Sequence, residues 1–131
     1  MADEKRWIQQ AEADLSAAQD SLKTGHCEWA CFQSQQAAET GLKAFLFSRG
    51  RTTIVSHSLA DLVRAAETLE AVFAALKPEA KSLDGFYIST RYPNGLASVD
   101  PPARYFDPSD ATQCIRFAQS ILNACLNFVT P

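Results

Sequence analysis

Apolar side chains recur at helical spacing along most of the chain, and the longest such stretch is residues 29–49. It contains no proline and a single glycine, so we expect one helix of about six turns. Small residues lie on one side of this helix and allow another helix to approach closely; they are Ala30, Ala37, Gly41 and Ala44. Because the other sides are also largely apolar, the pattern predicts a helix in the middle of a bundle.

A polar stripe interrupts this apolar surface. Gln35, Glu39 and Lys43 repeat every four residues, and Gln36 lies beside them. If the stripe faces solvent, Glu39 and Lys43 form an ordinary exposed ion pair. If it lies within apolar surroundings, its groups need internal partners, or they face a second protein or a ligand, because unpaired buried polar groups are costly. Both interpretations are compatible with the spacing.

The same periodicity predicts a first helix, which precedes the central helix and is joined to it by a short turn. Residues 3–24 carry an apolar stripe that repeats at intervals of three or four, formed by Trp7, Ala11, Leu15, Ala18 and Leu22. Gly25 follows at the position that a helix C-terminal cap favours. Since the connection is short, the first two helices should be antiparallel neighbours.

Beyond the central helix, caps and prolines indicate where further helices begin and end. After an extended link at residues 52–55, a third helix starts near Ser58, and the segment LEAVFAALK either continues or breaks it. Pro78 suits the first turn of a fourth helix, which should end near residues 91–92, because a residue before proline avoids the α conformation. Asp107 and the proline after it predict the start of a fifth helix.

The fifth helix should run to about Val129, since apolar residues repeat at helical spacing up to that point. Residues 93–107 show no periodicity, and irregular segments of this length in compact domains are often functional. No segment alternates at period two for long enough to predict a strand. The expected fold class is therefore all-α, an up-and-down four-helix bundle with an additional short helix, in one domain at residues 1–131.

Composition narrows the function classes without identifying one. The 131-residue chain has a net charge of −3, which argues against a general nucleic-acid coat but not against a local basic patch. Its apolar runs are too short to span a bilayer, and its charged N-terminal stretch does not resemble a signal peptide, so we expect a cytoplasmic location. Four cysteines lie in helical patterns without zinc-finger spacing, which favours buried, reduced thiols and no metal; they are Cys27, Cys31, Cys114 and Cys125.

Several stretches taken together resemble a known family. They are RWIQQAEADLSAAQ in the first helix, WACFQSQQAAETGLKAFLFSRG in the second, HSLADLV at the start of the third and YISTRYPN at the end of the fourth. In this order they resemble the HEPN domain, which occurs in stand-alone bacterial and archaeal proteins and at the C-terminal end of sacsin. The resemblance spans nearly the whole chain. It implies a five-helix bundle, frequent homodimers and association with nucleotides or nucleic acid.

The resemblance also implies possible partners and activities. Some HEPN proteins partner a minimal nucleotidyltransferase, whereas others are metal-independent ribonucleases, including toxins of toxin–antitoxin pairs. The ribonuclease members use an Arg-x(4–6)-His motif, and Arg91 aligns with its arginine. No histidine follows His57 in the chain, so we transfer no catalytic residue. Arg51 and His57 fit the spacing by count, but they lie in the link before the third helix, where His57 reads as a capping or interface residue.

A possible anion-binding site remains after the catalytic motif is set aside. Arginine can bind phosphate through two hydrogen bonds, and tyrosine can stack on a base. The candidate nucleotide-binding residues are Lys43, Arg91, Tyr92, Arg104 and Tyr105. In the alternative interpretation, Arg91 pairs with a bundle carboxylate such as Glu39, and Tyr92 only packs.

Three functional hypotheses follow. The first is a non-catalytic HEPN-type module that homodimerises and binds a nucleotide such as ATP or GTP, or docks on a nucleotidyltransferase partner, without a cofactor. The second is a HEPN ribonuclease that acts on RNA through His57 or a divergent site. The third is an assembly module without a ligand.

Overall fold

The computed structural model describes residues 3–54 and 56–131, and within these residues the chain contains α-helices and 3-10 helices but no strand. The α-helices are α1 (Asp3–Lys23), α2 (Cys27–Ser48), α3 (Leu59–Glu67), α4 (Lys77–Asp84), α5 (Pro102–Tyr105) and α6 (Pro108–Leu126). Two 3-10 helices, Ala71–Leu76 and Pro93–Gly95, lie between them. The all-α class is therefore confirmed. None of the described helices combines the length and the apolar character that a membrane crossing requires.

The core is built around α2, which packs mainly against α1 and α6. Gly25 adopts a φ of 83° after α1 and lets the chain reverse into α2 as an antiparallel neighbour. Gly41 lies where α1 and α6 come close to α2, because an added Cβ would lie 3.1 Å from Leu122 Cδ1 and 3.7 Å from Ala11 Cβ. The small side of α2 thus serves the close packing that its sequence predicts.

The second half of the chain differs from the sequence-based prediction in its helix boundaries. Helix α4 ends at Asp84 instead of near residues 91–92, and turns follow it. Gly85 comes next, and the hydroxyls of Ser89 and Thr90 donate to the carbonyls of Gly85 and Phe86, so side chains compete with the helical backbone here. The segment LEAVFAALK contains a 3-10 helix, and the predicted loop at residues 93–107 contains α5. Among the described residues, three long α-helices and three short ones therefore replace the predicted four main helices and one short helix.

The start of α3 is held by a carboxylate from α4. Asp84 accepts hydrogen bonds from the backbone N–H of Leu59 at 2.7 Å and of Ala60 at 3.1 Å, and from the Ser58 hydroxyl at 3.0 Å. Ser58 also accepts from the backbone N–H of Asp61 and is the N-cap residue of α3. These bonds satisfy free N–H groups at the first turn and fix α3 against α4.

We expect Asp84→Ala to lower the free energy of unfolding by about 2 kcal/mol, because it removes a charged cap that accepts three hydrogen bonds. Urea denaturation followed by circular dichroism measures this change. Asp100→Ala removes the same charge from an exposed loop position and should change stability by less than about 0.5 kcal/mol. Equal effects of the two variants would contradict a specific role for Asp84.

Candidate functional site

The polar stripe of α2 is buried inside the single chain. Gln35 is fully buried, and Glu39 and Lys43 are only 8% and 6% exposed. The interpretation of the stripe as a solvated surface pair is therefore wrong. Its burial within one chain also means that the stripe does not itself offer a surface to a second protein.

Glu39 is the centre of a buried hydrogen-bond network. Lys43 Nζ donates to Glu39 Oε2 at 2.8 Å, and the Gln35 amide donates to Oε1 at 3.4 Å. Gln35 Oε1 in turn accepts from Gln36 Nε2. Lys43 Nζ also lies 6.0 Å from the centre of the Trp7 ring. The opposite charges of Glu39 and Lys43 compensate each other in surroundings where either one alone would be costly.

His57 extends this network to the surface. Its Nδ1 lies 3.1 Å from Glu39 Oε2 and 3.4 Å from Lys43 Nζ, while 65% of its side chain is exposed. The expectation that His57 caps α3 is wrong, because the Ser58 side chain is the cap. His57 instead lies in the extended segment just before α3 and contacts a carboxylate of α2.

Arg91 lies against aromatic rings. Its guanidinium carbon is 4.2 Å from the centre of the Trp29 ring and 4.9 Å from that of Phe32. Tyr87 stacks on Phe32 with 6.0 Å between ring centres and an angle of 26° between planes. We call Trp29, Phe32, Tyr87 and Arg91 the Arg91 patch. The alternative in which Arg91 pairs with Glu39 is wrong, because Glu39 is paired with Lys43 and no ion pair of Arg91 occurs within residues 3–54 and 56–131.

The remaining predicted site residues are near the surface but not all in one group. Tyr92 is 55% exposed and precedes the 3-10 turn, whereas Tyr105 packs edge-on against Phe106. Arg104 is exposed on α5. Lys43 follows Phe32 by eleven residues on α2, which corresponds to about 16 Å along the helix. The structure therefore joins Arg91 to aromatic rings and joins Lys43 to Glu39 and His57, as two separate groups.

Sequence reasoning did not identify the partners of either group. Trp29 and Phe32 belong to the largely apolar surface of the central helix, and their spacing of three residues places them together on α2, where a cation can lie over both rings. Tyr87 lies beyond the end of α4 and is exposed. The contact between Glu39 and His57 joins residues 18 positions apart, and no local spacing indicates it.

The four cysteines are buried and unpaired, as their helical pattern indicates. The neighbouring Cys114 thiol and burial raise the pKa of Cys31, and burial raises the pKa of Cys27 and of Cys125. A raised thiol pKa keeps these groups in the unreactive thiol form. Within the part of the chain that the structure describes, no group of three or more His, Cys, Asp or Glu residues is arranged to hold a metal ion.

An apolar cleft of about 460 Å³ lies beside Trp7. Trp7 and Phe47 meet edge-on across 5.2 Å, and Arg51 lines the cleft with them. Its volume falls within the range of small-molecule sites. None of the predicted nucleotide-binding residues lines it.

Comparison with solved structures shows what this arrangement is similar to. TT1696 from Thermus thermophilus is 37% identical, with a TM-score of 0.88 over 98% of this chain and all of that one. ST0689, described as an archaeal HEPN homologue, is 35% identical, with a TM-score of 0.78 over 95% of each chain. An HEPN domain protein of Thermotoga maritima, TM0613, is 28% identical, with a TM-score of 0.73 over 93% of this chain and 95% of that one.

No curated protein is significantly similar to this sequence. The family model for the HEPN domain matches residues 4–128, which extend from the second residue of α1 past the end of α6. Two of these relatives, TT1696 and ST0689, share more than 30% identity with this chain and match nearly all of it. On these grounds the protein belongs to the HEPN domain family.

Proposed function

We propose that this protein is a non-catalytic HEPN module that homodimerises and binds a nucleotide of the ATP or GTP class at the Arg91 patch. The observation that carries the proposal is the exposed guanidinium of Arg91, which lies over two rings and has no described carboxylate partner. The N–H donors of Arg91 are therefore available to a phosphate.

The aromatic rings around Arg91 prepare its guanidinium to bind a phosphate group. Contact with Trp29 and Phe32 limits the rotamers of the long arginine side chain before a ligand arrives, which lowers the entropy lost on binding. Tyr87 and Tyr92 are exposed close to Arg91 in the chain, and a nucleobase can stack on such rings. We also propose that Arg104 and Tyr105 contact the ligand from α5.

Nucleotide binding can be measured through Trp29 itself. The chain has two tryptophans, Trp7 and Trp29, so Trp7→Phe leaves a single fluorescent reporter in the patch. Addition of ATP or GTP should quench Trp29, and the affinity should fall as salt rises, because the contact with phosphate is electrostatic. Unchanged Trp29 fluorescence together with no heat of binding in calorimetry would show that the protein does not bind the nucleotide.

We expect a homodimer through the segment that follows α4. Ile88 is 51% exposed there, and Val99, farther along the same segment, is fully exposed. Clusters of exposed apolar groups often mark interfaces, and homodimers are commonly twofold symmetric. Sedimentation at tens of micromolar, a range that detects weak dimers, should show a dimer.

The contact can be tested with matched variants. Ile88→Glu should shift the protein to monomer, whereas Val72→Glu, at a 55% exposed position on a 3-10 helix, should leave the dimer intact. A parent protein that sediments only as monomer would contradict the dimer. Dissociation by both variants alike would show that the contact lies elsewhere or that added negative charge disrupts it.

The other hypotheses correspond to distinct outcomes. RNA cleavage without metal that is lost in His57→Ala would support the ribonuclease, although Arg91 has no histidine after it in the chain. Stable co-purification with a minimal nucleotidyltransferase, without nucleotide binding by the free module, would support partner docking. If neither ligand, RNA cleavage nor such a partner is found, the assembly module remains.

A further inference from the structure

We propose that His57 is a phosphoryl-accepting site, at which Nε2 takes a phosphoryl group from a small phosphoryl donor. The site consists of His57, Glu39 and Lys43 and is separate from the Arg91 patch. It does not depend on the nucleotide proposal, because it uses none of the residues of that patch.

The hydrogen bond to Glu39 determines which nitrogen of His57 is reactive. A carboxylate only accepts hydrogen bonds, so we assign the proton to Nδ1 from its 3.1 Å contact with Glu39 Oε2, and the longer 3.4 Å separation between Nδ1 and Lys43 Nζ is then not a hydrogen bond. In the neutral ring the lone pair is then on Nε2. Since 65% of the side chain is exposed, an electrophile in solution can reach this lone pair.

The buried neighbours hold the ring in place and balance its charge. Glu39 is fixed by the 2.8 Å bond from Lys43, and the first turn of α3 directly after His57 is fixed by Ser58 and Asp84. Lys43 neutralises the charge of Glu39, so an anionic phosphoryl donor is not repelled by an isolated carboxylate. Glu39 also compensates the positive charge that the ring gains when Nε2 is modified.

The reaction with phosphoramidate, the simplest probe, is balanced without any further reactant. The Nε2 lone pair forms a new nitrogen–phosphorus bond while the bond between phosphorus and the amine breaks. Phosphoramidate reacts as its zwitterion, in which the nitrogen already carries three protons, so neutral ammonia leaves with the electron pair of the broken bond and nothing is oxidised or reduced. The ring keeps its Nδ1 proton, which stays hydrogen-bonded to Glu39.

His26 provides an internal control, because the chain has two histidines. It is exposed before α2, and its side chain makes no described hydrogen bond. The folded protein is incubated with phosphoramidate, and the modified residue is identified by peptide mass spectrometry and phosphorus NMR. We expect His57 to react faster than His26 by about tenfold, the lower end of the effect that hydrogen-bonded partners have on metal-ligating histidines. In denaturant the two rates should become equal.

A second comparison tests the role of Glu39. In Glu39→Gln the rate at His57 should fall to that of His26, while His26→Gln should leave it unchanged. If Glu39→Gln does not fold, the comparison of His57 with His26 in the parent still decides the matter. Equal rates at the two histidines of the folded parent, or modification of His26 alone, would overturn the proposal.

Discussion

Glu39→Leu is expected to lower the free energy of unfolding by about 3–5 kcal/mol, the range measured when one partner of a buried ion pair is removed. Lys43 would then be a buried charge without a counterion, since its ammonium donates to Glu39 and only 6% of the residue is exposed. Gln35 and His57 would lose the same acceptor. Because a domain of this size is stable by only about 5–15 kcal/mol, chemical denaturation should detect the change readily.

A double variant distinguishes the cost of leaving one buried charge unpaired from the cost of losing the ion pair itself. Glu39→Leu with Lys43→Met replaces both charges by apolar groups of similar size, and such replacements are often neutral or stabilising. We therefore expect the double variant to be more stable than Glu39→Leu alone. Arg64→Ala is the matched control, because its pair with Asp61 is exposed and should contribute less than about 1 kcal/mol. A Glu39→Leu variant as stable as the parent would contradict the buried network.

Arg91→Ala is expected to weaken nucleotide binding by about 1.5–3 kcal/mol, the usual contribution of hydrogen bonds to charged groups. This corresponds to a rise in Kd on the order of tenfold to hundredfold. Titration of Trp29 fluorescence in the Trp7→Phe background measures it. The variant should unfold at nearly the same denaturant concentration as the parent, because Arg91 is exposed and contacts Trp29 and Phe32 without an ion pair to another described residue.

Arg116→Ala is the control for net charge, since Arg116 is an exposed arginine of α6. Its affinity for nucleotide should equal that of the parent. Unchanged affinity in Arg91→Ala would place any nucleotide site elsewhere, and equal losses in both variants would indicate non-specific attraction. Lower stability of Arg91→Ala with normal binding would show that the patch is structural.

The sequence predicted the parts of this protein that depend on local order. Helices α1, α2 and α6 lie where apolar residues repeat with helical spacing, and Asp107 forms the predicted cap of α6 together with Asp110. Helix α4 ends early because Gly85 and the hydroxyls after it compete with the helix, and periodicity of apolar residues does not report that competition.

The tertiary structure alone decided what surrounds each face and which distant residues meet. Periodicity shows that Gln35, Glu39 and Lys43 share a side of α2, but the packing of neighbouring elements determines that this side is buried. The sequence contains Arg91 and the rings of Trp29 and Phe32, yet their contact depends on where the turns after α4 cross α2. The contact between His57 and Glu39 likewise depends on where the segment before α3 passes α2. Hydrophobic spacing reports which faces are apolar, whereas the contacts of polar groups depend on the relative positions of whole elements, which no local pattern encodes.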